Sequence, residues 1–514
     1  MHHCLSIPEI VHLICSQCDS LFDLAALART CRTFSEPAQD GLWYEIGDLI
    51  PLIKCMPEDL WKSPEEITPD EEALIVFQRP IVSTDWPRFI IQSQRVRALG
   101  SDGSPELGHV DFQMLTFAAS GLSLFPNLKE LYWFEASDRI PFILPFLGPS
   151  LTTITLSGGE PSLARLQLSA FTTFCMKCPN LTVIRIEDAA YNDVQNGISV
   201  LSAAICQLHK LETAILGDIT TDAYRHLAML PTLKSLRLLL EIDPPIPLPL
   251  LLDSPPFSAL ERFQIDSGRL LHGAWMLNTS SCSLRALEVD YWEKTVESDW
   301  RIFFSTILQR CGLSALTAFK VRSRENPLSI NHAAFLARPP LRMEHIAPLL
   351  AFHSLQSLVM QPIEGFDLDD ASLEQLAKAL PRLKALMLGV FTNAISLAKR
   401  PRVTLSSLGT LARYCPNLEH VGLHLDACIP CAAETTSSTR HTSLRCLVFG
   451  KSPIEDVMMV ARFLSQMFPN IEDIWTAGSR SDVEASYEEK WNVVGTLHRE
   501  YVARYSNSEE GDEV

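Results

Sequence analysis

The stretch Leu373-Glu374-Gln375-Leu376-Ala377-Lys378-Ala379-Leu380-Pro381-Arg382-Leu383-Lys384-Ala385-Leu386-Met387-Leu388 holds two hydrophobic periods in sixteen residues. Leu373, Leu376, Ala377 and Leu380 recur at spacings of three, four and seven, which puts them on one helical face. Asp369 or Asp370 stands ready to cap that helix. After Pro381 the period changes. Leu386 and Leu388 alternate with period two, so they point to one side of a short strand. The stretch therefore reads as a helix, a turn and a strand.

The same L-x-x-L-x-L pattern returns along the chain, with other apolar residues standing in for leucine. Clear copies are Leu128/Leu131/Trp133, Leu181/Ile184/Ile186, Leu233/Leu236/Leu238, Leu260/Phe263/Ile265 and Leu284/Leu287/Val289. Later copies are Leu316/Phe319/Val321, Leu355/Leu358/Met360, Leu383/Leu386/Leu388, Leu418/Val421/Leu423, Leu444/Leu447/Phe449 and Ile471/Ile474. Weaker ones lie at Leu151/Ile154/Leu156 and Leu211/Ala214/Leu216. About thirteen copies at spacings of roughly 22 to 39 residues form a repeat array with insertions. Pro-Asn precedes several of them, as in Phe125-Pro126-Asn127-Leu128 and Cys178-Pro179-Asn180-Leu181. Helical periods also precede Cys415 (Leu408, Leu411, Ala412) and Pro469 (Val457, Val460, Ala461, Leu464). One strand–helix unit cannot bury its apolar edge alone, whereas stacked units can. The sequence thus predicts an α/β solenoid, with a curved parallel sheet inside and helices outside. Removing one buried motif residue, as in Leu386→Ala, is expected to cost about 2–5 kcal/mol.

This array resembles the leucine-rich repeats of the F-box class. It departs from them eight residues after the first motif leucine, where many repeats carry an Asn or Cys that satisfies turn backbone. Here Ala136, Gly159, Ala189, Trp292, Phe391 and Asp426 stand instead, so less regular curvature is expected.

Composition bounds the function. The chain has 514 residues, 47% hydrophobic and 20% charged. With 43 Lys+Arg against 61 Asp+Glu, its net charge is −18. That balance disfavours nucleic acid or an anionic membrane as the main partner, because both need a basic footprint. No run of about 18 apolar residues suggests a transmembrane helix. Glu9 and His12 interrupt what a signal peptide would need as a clean apolar run. Secretion is not expected, so the 14 cysteines are read as reduced thiols.

The first fifty residues carry the functional clue. Ser6-Ile7-Pro8-Glu9 has capping-box spacing, with Pro8 in the first helical turn. Ile7, Ile10, Val11 and Ile14 form an apolar stripe. A second helix is expected from Asp23, with Leu24, Leu27, Ala28 and Cys31 on one face, and a third after Glu36 and Pro37, reaching Leu42 and Trp43. Pattern alone allows a helical cap over the first repeat, which solenoids require.

The order Ile7-Pro8-Glu9-Ile10, Ile14, Asp23-Leu24, Leu27-Ala28, Cys31-Arg32, Phe34, Ala38, Leu42-Trp43 resembles an F-box. Beyond it, Leu49-Ile50-Pro51-Leu52-Ile53, Pro57-Glu58-Asp59-Leu60-Trp61, Arg79-Pro80, Asp85-Trp86, Phe89 and Arg95-Val96-Arg97-Ala98-Leu99 are similar to F-box-like proteins of mushroom-forming fungi. The resemblance implies an F-box at residues 1–50, a linker at 51–87, repeats at 88–490 and a C-terminal helix with an acidic tail at 491–514. It places Val96 and Leu99 in the first strand. It further implies a non-catalytic substrate receptor of an SCF-type cullin–RING ubiquitin ligase, in the cytoplasm or nucleus. The F-box would dock the Skp adaptor through Ile7, Pro8, Ile10, Ile14, Leu24, Leu27, Cys31 and Trp43. The alternative is a repeat scaffold that binds a partner without ubiquitin chemistry, its first helices serving as the cap.

Alternation assigns the target-facing residues, because non-motif strand positions point to the concave side. Arg237, Glu288 and Lys320 supply charge there. Val359, Met387, Val448 and Trp475 form an apolar file beside His424, and such a patch suits protein binding unless a C-terminal helix or loop folds over it. Cys15/Cys18, Cys175/Cys178 and Cys428/Cys431 have C-x-x-C spacing, the last with His441 nearby. Structural zinc wants four convergent ligands, and neither a metal nor a cofactor is expected. No Walker A, HExxH, G-x-S-x-G or G-x-G-x-x-G sequence occurs, so an enzyme is not expected either.

Overall fold

The computed structural model describes residues 3–18, 20–62, 75–100, 107, 109–119, 121–133, 137–156, 173, 175–186, 197–241, 256–278, 283–324, 339–390, 400–429, 440–476 and 482–509. The chain divides into two compact units, Met1–Glu241 and Ile242–Val514. Each is a parallel α/β repeat of the leucine-rich-repeat class.

The first unit opens with three helices, α1 (Pro8–Ser16), α2 (Leu21–Ala28) and α3 (Arg32–Leu42). Ser6 is not the N-cap of α1. Residues His3–Ser6 wind a 3-10 turn, so the extended residue at the start of α1 is Ile7, which has no side-chain cap. Ser20 does cap α2, accepting from Asp23 N, so that helix starts two residues before Asp23. α3 also starts earlier than Pro37 suggests. Cys31 is its extended N-cap, and Pro37 lies inside the helix.

Seven strands follow in this unit among the described residues: β1 (Glu45–Ile46), β2 (Ala98–Gly100), β3 (Glu130–Trp133), β4 (Thr153–Leu156), β5 (Val183–Ile186), β6 (Thr213–Leu216) and β7 (Ser235–Leu240). Each pairs in parallel with the next. One row runs Ile46, Leu99, Leu131, Ile154, Ile184, Ala214, Leu236. The ladder thus begins at Glu45, upstream of residue 88. Leu99 lies in the second strand, not the first, and Val96 is buried just before it. Helices α4 (Ile50–Ile53), α5 (Trp86–Ser93), α6 (His109–Ala118), α7 (Gly197–Ile205) and α8 (Thr221–Met229) fall between strands.

The described residues between β1 and β2 contribute to a core. Leu52, Ile53, Met56, Leu60 and Trp86 are buried. Arg79 donates to both Asp59 and Asp85, at 2.8 Å each, and Asp85 Oδ2 also accepts from Val82 N. Hydrogen bonds from Arg79 hold the Asp85 carboxyl below its usual range despite burial.

The second unit carries β8 (Arg262–Ser267), β9 (Ala286–Tyr291), β10 (Ala318–Ser323), β11 (Ser357–Gln361), β12 (Ala385–Leu388), β13 (His420–Leu423), β14 (Cys446–Gly450) and β15 (Asp473–Thr476). Its core row is Phe263, Leu287, Phe319, Leu358, Leu386, Val421, Leu447, Ile474. All thirteen motif copies therefore become strands, and within each unit neighbouring strands pair in parallel, with one register shift between β14 and β15. The helices are α9 (Leu270–Asn278), α10 (Glu297–Arg310), α11 (Met343–Ile346), α12 (Asp370–Ala379), α13 (Ser406–Tyr414), α14 (Val457–Met467) and α15 (Asp482–Glu509). Asp369 is the residue that caps α12, accepting from Ser372 N at 3.0 Å.

The recurrent Pro-Asn has a physical explanation. The amides of Asn127, Asn180 and Asn470 donate to Gln94 O, Pro149 O and Thr442 O in the preceding repeat, at 2.8, 2.9 and 2.8 Å. A polar ladder exists, but it lies before the strand rather than after it. Of the six residues at the usual ladder position, Trp292 and Asp426 lie among the described residues. Asp426 is buried and accepts from Cys428 N at 2.9 Å, so an aspartate does the turn-satisfying work there.

Candidate protein-interaction surfaces

Helices α1–α3 enclose a small core of Val11, Cys15, Leu24 and Ala38, with Leu27, Ala28, Phe34 and Leu42 packed against it. This places the expected adaptor residues differently from one another. Leu24 lies inside the core, because Gly41 of α3 leaves room for its methyls to approach within 3.3 Å of where a Cβ would stand. It is not available for docking. Leu27 is half-buried against the same core, and Ile10, Cys31 and Trp43 are also half-buried. Ile7, Pro8 and Ile14 are exposed.

Three large apolar side chains that the stripe does not include are more exposed still: Leu13 at 61%, Leu21 at 62% and Phe22 at 75%. Phe22 falls off the Leu24/Leu27/Ala28/Cys31 face, whereas Leu21 lies three residues before Leu24 and Leu13 three after Ile10, so helical spacing does not mark those two as exposed.

Cys31 has distinct chemistry. It is the N-cap of α3 without a side-chain cap hydrogen bond, and the nearby Phe34 backbone N–H draws its thiol pKa below the ordinary value. Elsewhere burial does the opposite. It pushes Cys175 up to about 12, Cys178 to about 11 and Cys415 to about 12. The Cys415 thiol donates to Ala377 O and Leu380 O, 3.7 and 3.5 Å away. His441 is committed too, its Nε2 3.0 Å from Cys415 O. Cys431 lies outside the described residues. Among the described residues no three His, Cys, Asp or Glu side chains converge as metal ligands would.

The non-motif column behaves unevenly. In the first unit Arg237 is half-buried, Arg185 Nη1 donates to Thr155 Oγ1 at 3.4 Å, and Tyr132 OH donates to Glu130 at 2.7 Å. In the second unit Lys320 and Glu288 face each other across β10 and β9 at 3.0 Å, each about one-third exposed. Val359 and Met387 are half-buried. Val448 is buried at 4%, a correction to its expected exposure. Its ladder neighbours are Gly422 and Trp475. His424 is half-buried. Its ring packs on Gly450, Nδ1 accepts from Lys451 N at 3.3 Å, and burial pushes its pKa down to about 4. Trp475 stays 59% exposed. The C-terminal helix covers a different residue: Trp491 of α15 stacks on Phe449 at 4.0 Å and donates to Ser452 O at 2.9 Å.

A charged network lies two residues further along the same strands. Asp266, Asp290 and Arg322 are register partners on β8, β9 and β10. Arg322 forks onto Asp290 (2.9 and 2.7 Å), and Arg324 reaches the same carboxylate at 2.8 and 2.6 Å. Burial pushes the Asp290 carboxyl up, but the two guanidiniums outweigh it, and it titrates below the usual range.

The chain matches no protein-family model and no curated protein. Among solved structures it is similar to a chain of the yeast Rad7–Elc1 complex, at 13% identity and TM-score 0.36, covering 73% of this chain and 86% of that one. It is also similar to the leucine-rich-repeat ectodomain of the plant membrane receptor kinase GASSHO1/SCHENGEN3 from Arabidopsis thaliana, at 12% identity and TM-score 0.21, covering 76% and 60%. Among the described residues no helix is long and apolar enough to cross a membrane.

Proposed function

We propose that the protein is the substrate-receptor subunit of an SCF-type ubiquitin ligase, working in the cytoplasm or nucleus. Its N-terminal helices dock the Skp adaptor, and through it cullin–RING, while the strand face holds a target protein. It performs no chemistry itself. The observation that carries this reading is the uncovered apolar surface of the three-helix segment. That segment has its own filled core, yet leaves Leu13, Leu21 and Phe22 in solvent. Large exposed apolar residues on so small a unit favour a partner. The F-box-like order of residues 7–43 says which partner.

The test is co-purification of the intact chain with the Skp adaptor, beside Phe22→Asp and Leu13→Asp. Neither site contributes to the helical core, so both variants should keep the wild-type melting profile and lose the adaptor. Retention of the adaptor by both variants, or no binding by the intact chain, would sink the reading. Leu27→Asp is a poorer probe, since Leu27 packs on the core and a charge there would unfold the helices.

One observation favours a second role for the same residues. β1 directly follows α3 and pairs with β2, so the N-terminal segment also caps the repeat ladder. A scaffold without ubiquitin chemistry would need that cap and no adaptor.

A further inference from the structure

Arg322 and Arg324 are held by an arrangement that leaves part of each guanidinium unused. Asp290 is 1% exposed, and its two oxygens take the Nε and Nη2 groups of both arginines. Asp266, 4% exposed, lies 4.0 Å from Arg324 Nη2 and accepts from Gln264 at 3.1 Å. The carboxylates are therefore underneath and the guanidiniums above, 36% and 49% exposed. No hydrogen bond involves either Nη1 group among the described residues. Each Nη1 carries two N–H donors. Lys320 beside them is already paired with Glu288.

Two guanidiniums on one buried carboxylate have already lost the rotamer freedom that binding would otherwise remove. On each guanidinium the spare Nη1 donors lie on the side away from the Nε and Nη2 groups that this carboxylate takes. Arginine in this state suits a bidentate oxygen acceptor. A cationic or purely apolar ligand group would leave four donors unsatisfied where it excluded water.

We propose that Arg322 and Arg324 form a receptor for an oxyanion on the bound target, a side-chain carboxylate or a phosphoryl group. Asp290 acts as their positioning residue. The proposal rests on the reading of the chain as a receptor for a target protein, and it names the chemistry recognised.

The test uses the full-length chain and three fluorescent pools of nine-residue peptides, random except for a central serine, glutamate or phosphoserine. Anisotropy should show the glutamate or the phosphoserine pool held about tenfold more tightly than the serine pool, as a charge-assisted fork predicts. Which of the two is preferred identifies carboxylate or phosphoryl. Arg322→Lys with Arg324→Lys keeps the charges but removes the planar forks, and should abolish the preference. Arg324→Gln leaves the Arg322–Asp290 fork in place, so it keeps the test open if the double variant does not fold, and should cut the preference severalfold. Equal retention of all three pools would overturn the proposal, as would an unchanged preference in a folded variant. Adaptor co-purification is scored separately. Loss of the adaptor with peptide preference intact would overturn the ligase reading alone, and the reverse result would overturn this one alone.

Discussion

Cys31 and Cys415 carry the same thiol in opposite settings. Cys31 stands at a helix N-terminus, where a backbone N–H favours the thiolate. Cys415 is 0% exposed, and burial favours the thiol. Thiolate is the reactive form, so a maleimide at neutral pH should label Cys31 well before Cys175, Cys178 or Cys415. Peptide mapping of a brief labelling reaction checks this, and equal labelling of all four would contradict the described burial. If the adaptor covers α3's start, its presence should protect Cys31. Asp370 makes a second residue-scale case. Its carboxylate accepts from Thr404 N and Oγ1 at 2.7 Å each, from Ser406 Oγ at 2.9 Å, and from Ser407 Oγ. Burial raises its pKa, but those donors outweigh it and the net shift is down. A depressed carboxyl contributes stability above its unfolded pKa of about 3.9 and loses it as pH falls through the folded value. Asp370→Ala should cost about 2 kcal/mol at neutral pH, and hydrogen exchange at residues 404–407 should report it. The deficit relative to wild type should shrink in acid below about pH 4.

Strands were the most legible elements, and the reason is local. Leu386 and Leu388 announce a strand by alternation, and the same arithmetic holds for the other copies through Leu444/Leu447/Phe449, while Ile471/Ile474 lacks the third apolar residue. Helix starts were less legible. Pro37 reads as a beginning, yet it is tolerated inside α3, and Ser6 reads as a cap although its backbone is already wound into a 3-10 turn. The candidate surface was legible only in direction. Alternation says which side Val448 and His424 point to, but not how deeply neighbours close over them. Depth was set by glycines in adjacent repeats. Gly422 leaves space that Met387 occupies, since a methyl there would stand 2.4 Å from its sulfur. Gly450 leaves space for the His424 ring, at 2.4 Å from the same construction, and has φ +55°. Gly450→Ala in β14 should therefore cost about 1–3 kcal/mol, from a left-handed backbone and a displaced ring together. Adding His424→Ala should relieve the clash and leave the backbone part. Chemical denaturation of the two variants separates these contributions. No additional loss in Gly450→Ala relative to the double variant would show that the ring is not confined.

At the scale of the molecule, the same fifty residues serve folding and partner choice, and the two uses make opposite demands on a deletion. β1 supplies only Glu45 and Ile46 to the ladder, but Tyr44 O also accepts from Arg97 N and Ala98 N at 2.8 and 2.9 Å. Arg95 adds ion pairs to Glu36 and Asp40 of α3, being itself only 15% exposed. Removing residues 1–46 would therefore open the edge of β2 and leave Arg95 without both carboxylates. An unpaired edge beside a leucine-rich row is a template for pairing with another chain. The deletion should give oligomers or insoluble protein in light scattering, although every copy from Leu128 onward is intact. Phe22→Asp should behave in the contrary way. Phe22 is 75% exposed and pairs with nothing in the ladder, so the variant should remain at wild-type mass and stability while losing the adaptor. A deletion that stayed monomeric would mean that β1 contributes nothing to the array. The N-terminal helices would then be a docking module alone, and the cap that a repeat array requires would have to be β2 itself.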